Sequence, residues 1–111
     1  MIRVDTYVED GVAVLKPQGR LTMVTAPELR QLVAQTIRSG QVKIVVDLSG
    51  TEFMDSSGLG ALISGLKTAR QAGGELRIAC LGPQVSTVLR LTNLDRVLRP
   101  YESVAEAVGA R

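Results

Sequence analysis

The sequence predicts an α/β fold, in which a mixed and mostly parallel sheet of about four to five strands is covered by about four helices. Short β-branched apolar runs alternate along the chain with segments in which apolar residues recur at helical spacing. The resulting order is β-β-α-β-α-β-α-β-α, and strands joined through helices pair in parallel by right-handed crossovers. Residues 1–111 are expected to form a single domain, because this is an ordinary domain length and no linker or repeat interrupts it.

The first two strands are predicted to form a hairpin. Asp10-Gly11 favours a tight turn between antiparallel strands. The segment 12–15 is apolar at every position, so the second strand is expected to be the more central of the pair.

The first helix is predicted to run from about residue 26 to 39, where the apolar period changes. Thr25 and Glu28 have the spacing of a capping box, and Pro27 lies in the first turn. Gly40 supplies a stop signal.

The second half of the chain continues the alternation. The nearly continuous apolar run 42–48 predicts a strand in the middle of the sheet, and a loop over 49–55 leads into the next helix, which ends at Gly73-Gly74. Then follow a strand at 75–80, a helix opened by Gly82-Pro83, a short edge strand at Val97-Leu98 and a last helix within 101–109.

Charge and aromatic content argue against nucleic-acid and membrane partners. The net charge is +2, Lys and Arg are scattered, and aromatics make up 3% of the chain, so no stacking platform for bases is predicted. The sequence contains no apolar run of about 18 residues and no leader pattern, so we expect a cytoplasmic protein.

Histidine is absent and Cys80 is the single cysteine. This removes the usual general base and the commonest metal ligand, so no Ser-His-Asp triad, metal site or cofactor is predicted. One cysteine fits a reducing compartment. Because Cys80 ends the alternation Leu76, Ile78, Cys80, it is interpreted as a small buried hydrophobe, with a redox role as the alternative.

The segment FMDSSGLGALIS, residues 53–64, contains the candidate functional site. One side chain suffices to cap a helix, yet Asp55, Ser56 and Ser57 are all favoured caps. If Asp55 is the cap, Met54 and Leu59 take the two positions of a hydrophobic staple. A purely structural role therefore explains much of the segment.

Two glycines and the position of the segment point beyond a structural role. Gly58 and Gly60 each cost about 0.5–1 kcal/mol in a helix, and they leave room for something to approach the first turn. The segment follows the central strand, where open α/β sheets bind ligands. Ser56, if it is the N-cap, projects from the helix end and is the candidate phosphorylation site, with Ser57 as the runner-up.

A phosphate on Ser56 is expected to change binding and not folding. The helix N-terminus favours an anion, so the fold should be retained. The modification would place nearly two negative charges beside Asp55 on an exposed tip. A partner covering that tip would lose about 2–5 kcal/mol of binding free energy.

Three segments resemble the STAS-domain anti-sigma factor antagonists. VVDLSGTEFMDSSGLGALISGLKTAR is similar to the signature of that family, GRLTMVTAPELR to its first-helix entry and LRLTNLDRVLRPYESVAEAV to its C-terminal segment. The resemblance spans almost the whole chain and implies the STAS fold. It also implies a protein that binds without catalysing a reaction. Its unphosphorylated form would bind an anti-sigma factor that is also a serine kinase and so release a sigma factor. Phosphorylation of the first serine, here Ser56, would end that binding, and a serine phosphatase would restore it.

One departure from the family concerns the loop after the second strand. The family often carries an acid there, where this chain has Thr22 and Met23, so the details of kinase recognition are open. The loop is expected to lie near Ser56 and to help form the docking face. The predicted partner-binding residues are Thr22, Met23, Met54, Asp55, Ser57, Gly58 and Leu59.

Other functions compete with this interpretation. The chain could be a STAS subunit of another signalling or transport assembly, or a small-ligand or nucleotide module that uses the same helix N-terminus. The P-loop lysine and the three-glycine dinucleotide pattern are both absent. An enzyme with a serine nucleophile is disfavoured, because no histidine is available to activate the serine.

Overall fold

The computed structural model describes residues 2–110 and shows the predicted α/β architecture, with a mixed, mostly parallel sheet. The described part of the chain forms the following elements: β1 Arg3–Glu9, β2 Val12–Leu21, α1 Ala26–Arg38, β3 Lys43–Asp47, β4 Thr51–Met54, α2 Ser56–Gln71, β5 Glu75–Ala79, α3 Pro83–Leu91, a 3₁₀ turn at Leu94–Arg96, β6 Pro100–Tyr101 and α4 Val104–Gly109.

The sheet has the order β1-β2-β3-β5-β6, and β4 pairs with β2 off this path. β1 and β2 pair antiparallel, which confirms the predicted hairpin, whereas the other strand pairs described over residues 2–110 are parallel. Asp10 and Gly11 at the hairpin turn have φ angles of 50° and 77°. The strand β3 lies between β2 and β5, as its continuous apolar run predicted.

The strand β4 corrects the prediction of a loop over residues 49–55. After a tight turn in which the Thr51 N–H donates to the Leu48 carbonyl at 3.0 Å, the chain pairs in parallel with the last part of β2. The Thr51 hydroxyl is buried and donates to the Pro17 carbonyl at 3.1 Å. The strand has four residues, so its sequence carries too short an alternation to be recognised.

The predicted edge strand at Val97-Leu98 is also wrong. Val97 follows the 3₁₀ turn, and the strand that pairs with β5 is β6, with Pro100 opposite Ile78. Leu98 is buried in the main core, so its apolar character reflects packing and not strand pairing.

The helices cover both faces of the sheet. The main core lies between the sheet and α1, α2 and α3, and a smaller cluster lies under α4. Cys80 packs against the smaller cluster and is only partly buried, which corrects the prediction that it continues the alternation of Leu76 and Ile78. Its φ of 61° ends the extended backbone and turns its side chain to the other face.

Cys80 is poorly suited to redox chemistry. Burial of the thiol, followed by the negative charge of Asp47, raises the pKa of Cys80. The thiolate is the reactive form of cysteine, so a raised pKa disfavours reaction.

Within residues 2–110, no helix has the length and hydropathy needed to cross a bilayer.

Candidate functional site

The candidate site forms where β2 and β4 end side by side. Leu21 is opposite Met54 in the parallel pairing, and the Asp55 N–H donates to the Leu21 carbonyl at 3.1 Å. The loop that begins at Thr22 and the helix that begins at Ser56 therefore leave the sheet from the same point. The start of the loop at Thr22 thus lies next to the start of α2.

Asp55 is the N-cap of α2. Its Oδ1 accepts hydrogen bonds from the N–H groups of Ser57 at 2.8 Å and Gly58 at 3.1 Å. Ser56 is the first residue of the helix, which corrects its predicted N-cap position. Because Asp55 caps the helix, the serine hydroxyls are not needed for that purpose.

The two serines differ in exposure. Ser56 is exposed at the helix end, whereas Ser57 is half-buried. Within residues 2–110, neither the hydroxyl nor the backbone N–H of Ser56 makes a hydrogen bond. Ser56 is therefore the more accessible hydroxyl, and its own N–H is an uncommitted donor beside it.

Gly58 has a packing role that the sequence did not predict. A Cβ at this position would lie 2.6 Å from the Leu21 carbonyl oxygen and 2.9 Å from Met54 Cγ. The space that we attributed to an approaching partner is filled by the end of β2. Gly58 is buried, so it is corrected from a docking residue to one that lets α2 start close to the sheet.

Met54 and Leu59 also lie beneath the surface. Met54 is 1% exposed and Leu59 4% exposed, and both belong to the main core. This agrees with the staple positions on either side of the Asp55 cap and corrects their predicted place on a docking face. They support the helix start from below.

Gln84 completes the site and was missed from the sequence. Its side-chain amide binds the Met54 backbone twice: the Met54 N–H donates to Oε1 at 2.8 Å, and Nε2 donates to the Met54 carbonyl at 2.9 Å. These backbone groups face away from β2, so Gln84 binds them in the way that a neighbouring strand would. No local pattern marks this glutamine, because its partner lies 30 residues earlier.

We expect Gln84→Ala to lower the free energy of unfolding by about 1–2 kcal/mol, because two partly buried backbone groups lose their partners. Urea unfolding followed by circular dichroism measures this loss. Gln35→Ala is the matched control, since Gln35 is exposed on α1 and makes no side-chain hydrogen bond within residues 2–110. Equal stabilities of the two variants would contradict the role assigned to Gln84.

The loop between β2 and α1 presents apolar side chains on a well-bonded turn. Thr25 Oγ1 donates to the Arg20 carbonyl at 2.6 Å and accepts from the Thr22 N–H at 2.9 Å. At its tip, Met23 is 73% exposed and Val24 74% exposed. Met23 was predicted as a docking residue, whereas Val24 was missed because an apolar residue before a helix resembles a core position.

The predicted capping box of α1 is wrong. Thr25 makes no side-chain bond to the helix start, because its hydroxyl is used within the loop. Glu28 binds the Ile2 N–H, at 3.2 and 3.3 Å from its two oxygens. The capping pattern therefore reflects contacts that fix the loop and the first strand.

Comparison with known proteins identifies the fold family. The STAS domain family model matches residues 3–107. The chain belongs to the STAS-domain family. The resemblance drawn from the three sequence segments is thereby confirmed.

Several STAS-domain relatives match over most of this chain. The anti-sigma F factor antagonist of Paenibacillus polymyxa is 30% identical over 99 residues, which cover 88% of this chain and 85% of that protein. A crystal structure of an anti-sigma factor antagonist from Mycobacterium paratuberculosis superposes with a TM-score of 0.86 at 30% identity, covering 97% of this chain and 92% of that one. A crystal structure of a candidate anti-sigma factor antagonist from Thermotoga maritima gives a TM-score of 0.88 at 31% identity, with coverage of 95% and 91%.

Proposed function

We propose that this STAS domain is an anti-sigma factor antagonist that acts by binding and not by catalysis. The similarity to proteins of that name over most of both chains supports this assignment. Residues 2–110 contain no group of three or more His, Cys, Asp or Glu side chains placed to hold a metal ion, and the sequence has no histidine to activate a serine. In this proposal the protein works in the cytoplasm and contacts neither nucleic acid nor membrane.

The switch in this proposal is phosphorylation of Ser56. The anti-sigma partner, acting as a serine kinase, transfers the γ-phosphoryl group of ATP to the Ser56 oxygen, so that ADP leaves and the hydroxyl proton is released. A serine phosphatase reverses the modification. The observation that carries this assignment is that the Ser56 hydroxyl is exposed and unbonded while Asp55 caps the helix. Ser57 remains the alternative acceptor and is less accessible.

The proposed docking surface, called here the docking tip, consists of Thr22, Met23, Val24, Asp55 and Ser56, with Ser57 at its margin. Met23 and Val24 supply exposed apolar area beside a polar helix end. This combination suits a protein partner, because interface centres bury apolar side chains while polar groups fix the orientation. A phosphate at Ser56 would place charge within that buried area.

Capture from native cell extract tests the assignment. The protein is used as bait, the captured material is incubated with Mg²⁺ and ATP, and the modified residue is located by mass spectrometry, with Ser56→Ala as the control. We expect one anti-sigma protein and one phosphate, on Ser56. Capture of that protein without modification would remove the proposed switch. Tight nucleotide binding by the bare protein in calorimetry would favour a ligand-binding module, and capture of a membrane transporter would favour a transport assembly.

We expect Val24→Thr to weaken binding of the captured partner by about tenfold, because burying a hydroxyl without a hydrogen-bond partner costs about 1–3 kcal/mol. Stability should change by less than about 0.5 kcal/mol, since the residue is exposed. Titration calorimetry measures the affinity, and urea unfolding measures the stability.

Val8→Thr is the matched control for this prediction. Val8 is 58% exposed and pairs with Ala13, at the opposite end of β2 from Leu21. If Val24→Thr and Val8→Thr bind the partner equally well, the docking tip does not include the loop.

A further inference from the structure

The first turns of α1 and α2 bring Arg30 close to the serine-bearing face of α2. A Cβ built on Gly60 would lie 3.5 Å from Arg30 Nη2, so the guanidinium lies against this glycine. Ser56 is four residues before Gly60, and residues at that spacing share a helix face with Cβ positions about 5–6 Å apart. The guanidinium therefore lies about one helical turn from Ser56.

Arg30 has no partner within residues 2–110. The two ion pairs found there join other residues, and no hydrogen bond involves its side chain. Its helical neighbours three and four residues away are Ala26, Pro27, Val33 and Ala34, none of which is charged. The side chain is exposed. It can therefore turn towards a new partner without breaking an ion pair.

Arg30 borders open space between the two helices. A groove of about 470 Å³ lies between α1 and α2 and is lined by Arg30 together with Ser64, Gly65 and Thr68 of α2. These α2 residues follow Gly60 in the chain, so the groove lies on the other side of Gly60 from Ser56. Gly60 itself leaves the space between Arg30 and Ser56 open, because a larger side chain there would occupy it.

The other charges at this end of the sheet do not replace Arg30. Asp55 is negative, it is adjacent to Ser56, and its carboxylate is occupied by two backbone N–H groups. Arg20 stacks over the Phe53 ring, with its guanidinium carbon 4.3 Å from the ring centroid. Arg30 is therefore, among residues 2–110, the unpaired cation that lies on the Ser56 side of α2.

We propose that Arg30 is the intramolecular counter-charge of the phosphorylated state: it pairs with a phosphate on Ser56 and links the first turns of α1 and α2. An arginine presents a planar fork that matches phosphate oxygens. The pairing offsets the repulsion between the phosphate and Asp55. This inference rests on the proposed modification of Ser56.

Direct incorporation of phosphoserine at position 56 tests the pairing without the kinase or the anti-sigma partner. Phosphorus NMR then gives the second pKa of the phosphate, which is near 6 in a free phosphoserine. A paired cation stabilises the dianion, so we expect Arg30→Gln to raise this pKa by about 0.2–0.7 unit, the range of an exposed charge pair. Added salt should shrink the difference.

Arg38→Gln is the matched control, because Arg38 is exposed in the last turn of the same helix. Equal phosphate pKa values in the Arg30→Gln and Arg38→Gln proteins would overturn the pairing. That result would leave the proposed function intact, since partner capture and modification of Ser56 are measured separately. Conversely, Arg30→Gln could raise the phosphate pKa although the capture experiment finds no partner that phosphorylates Ser56. That result would retain the pairing of Arg30 with phosphate and remove the proposed switch.

Discussion

Phosphoserine at position 56 is expected to lower the affinity for the anti-sigma partner by about 30- to several-thousand-fold. The range follows from about 2–5 kcal/mol lost when a docked, desolvated contact must accept a dianion. Ser56 is exposed, and the proposed docking tip also contains the exposed loop residues Met23 and Val24. In a complex that covers this tip, the phosphate would fall within the covered area.

The same modification should leave the fold nearly unchanged. The helix N-terminus favours an anion, and the Ser56 N–H is a free donor beside it within residues 2–110. We expect the thermal midpoint to shift by no more than a few degrees, which corresponds to about 1 kcal/mol or less in a domain of this size. Affinity by titration calorimetry and melting by circular dichroism measure the two effects on one sample.

A phosphoserine at Ser39 provides the control for added charge. Ser39 is exposed and follows the last turn of α1, at the far end of that helix from the docking tip. Phosphoserine at position 39 should leave the affinity for the partner within about threefold of that of the unmodified protein. Its charge lies outside the proposed docking tip, and exposed charges are screened by salt. The switch fails if the proteins modified at Ser56 and Ser39 bind equally well.

Gly58→Ala is expected to destabilise the protein by about 1–3 kcal/mol, because its Cβ would overlap the Leu21 backbone oxygen at 2.6 Å. The end of β2 and the start of α2 would have to separate, although the bond from Asp55 to Leu21 holds them together. Urea unfolding followed by circular dichroism measures the loss.

Gly60→Ala, in the same helix, is expected to have the opposite effect on stability. Its new Cβ would make an ordinary contact of 3.5 Å with Arg30, so the gain in helix propensity should stabilise the protein by about 0.5–1 kcal/mol. The two substitutions are chemically identical and two residues apart. Equal effects on stability would show that close approach to Leu21 does not explain Gly58.

Sequence reasoning succeeded where a short stretch of chain carries the whole signal. The hairpin at Asp10-Gly11 follows from the φ angles that its turn requires. The helix predicted at about 26–39 is observed at Ala26–Arg38, since its apolar period spans several turns. The special character of the Asp55–Ser57 start follows from the same local rules.

The same local reasoning failed where a side chain had more than one available partner. The capping box at Thr25 was wrong because the loop, and not the helix start, uses that hydroxyl. Asp55, Ser56 and Ser57 were all suitable N-caps by sequence, and only the structure shows that Asp55 has that role. N-cap propensity ranks the possible capping residues, but it does not distinguish Asp from Ser, whose preferences for this position are similar.

The sequence by itself determined the α/β class, the main helices and strands, and the serine pair at a helix start, while its resemblance to known motifs indicated the family. The first three depend on periodicity and capping, which act over about four to eight neighbouring residues. The tertiary structure alone decided that β4 pairs with β2, that Gly58 rests on Leu21, that Gln84 binds Met54 and that Arg30 lies beside Gly60. Each of these contacts joins residues about 30 positions apart, and their proximity depends on how the whole core packs.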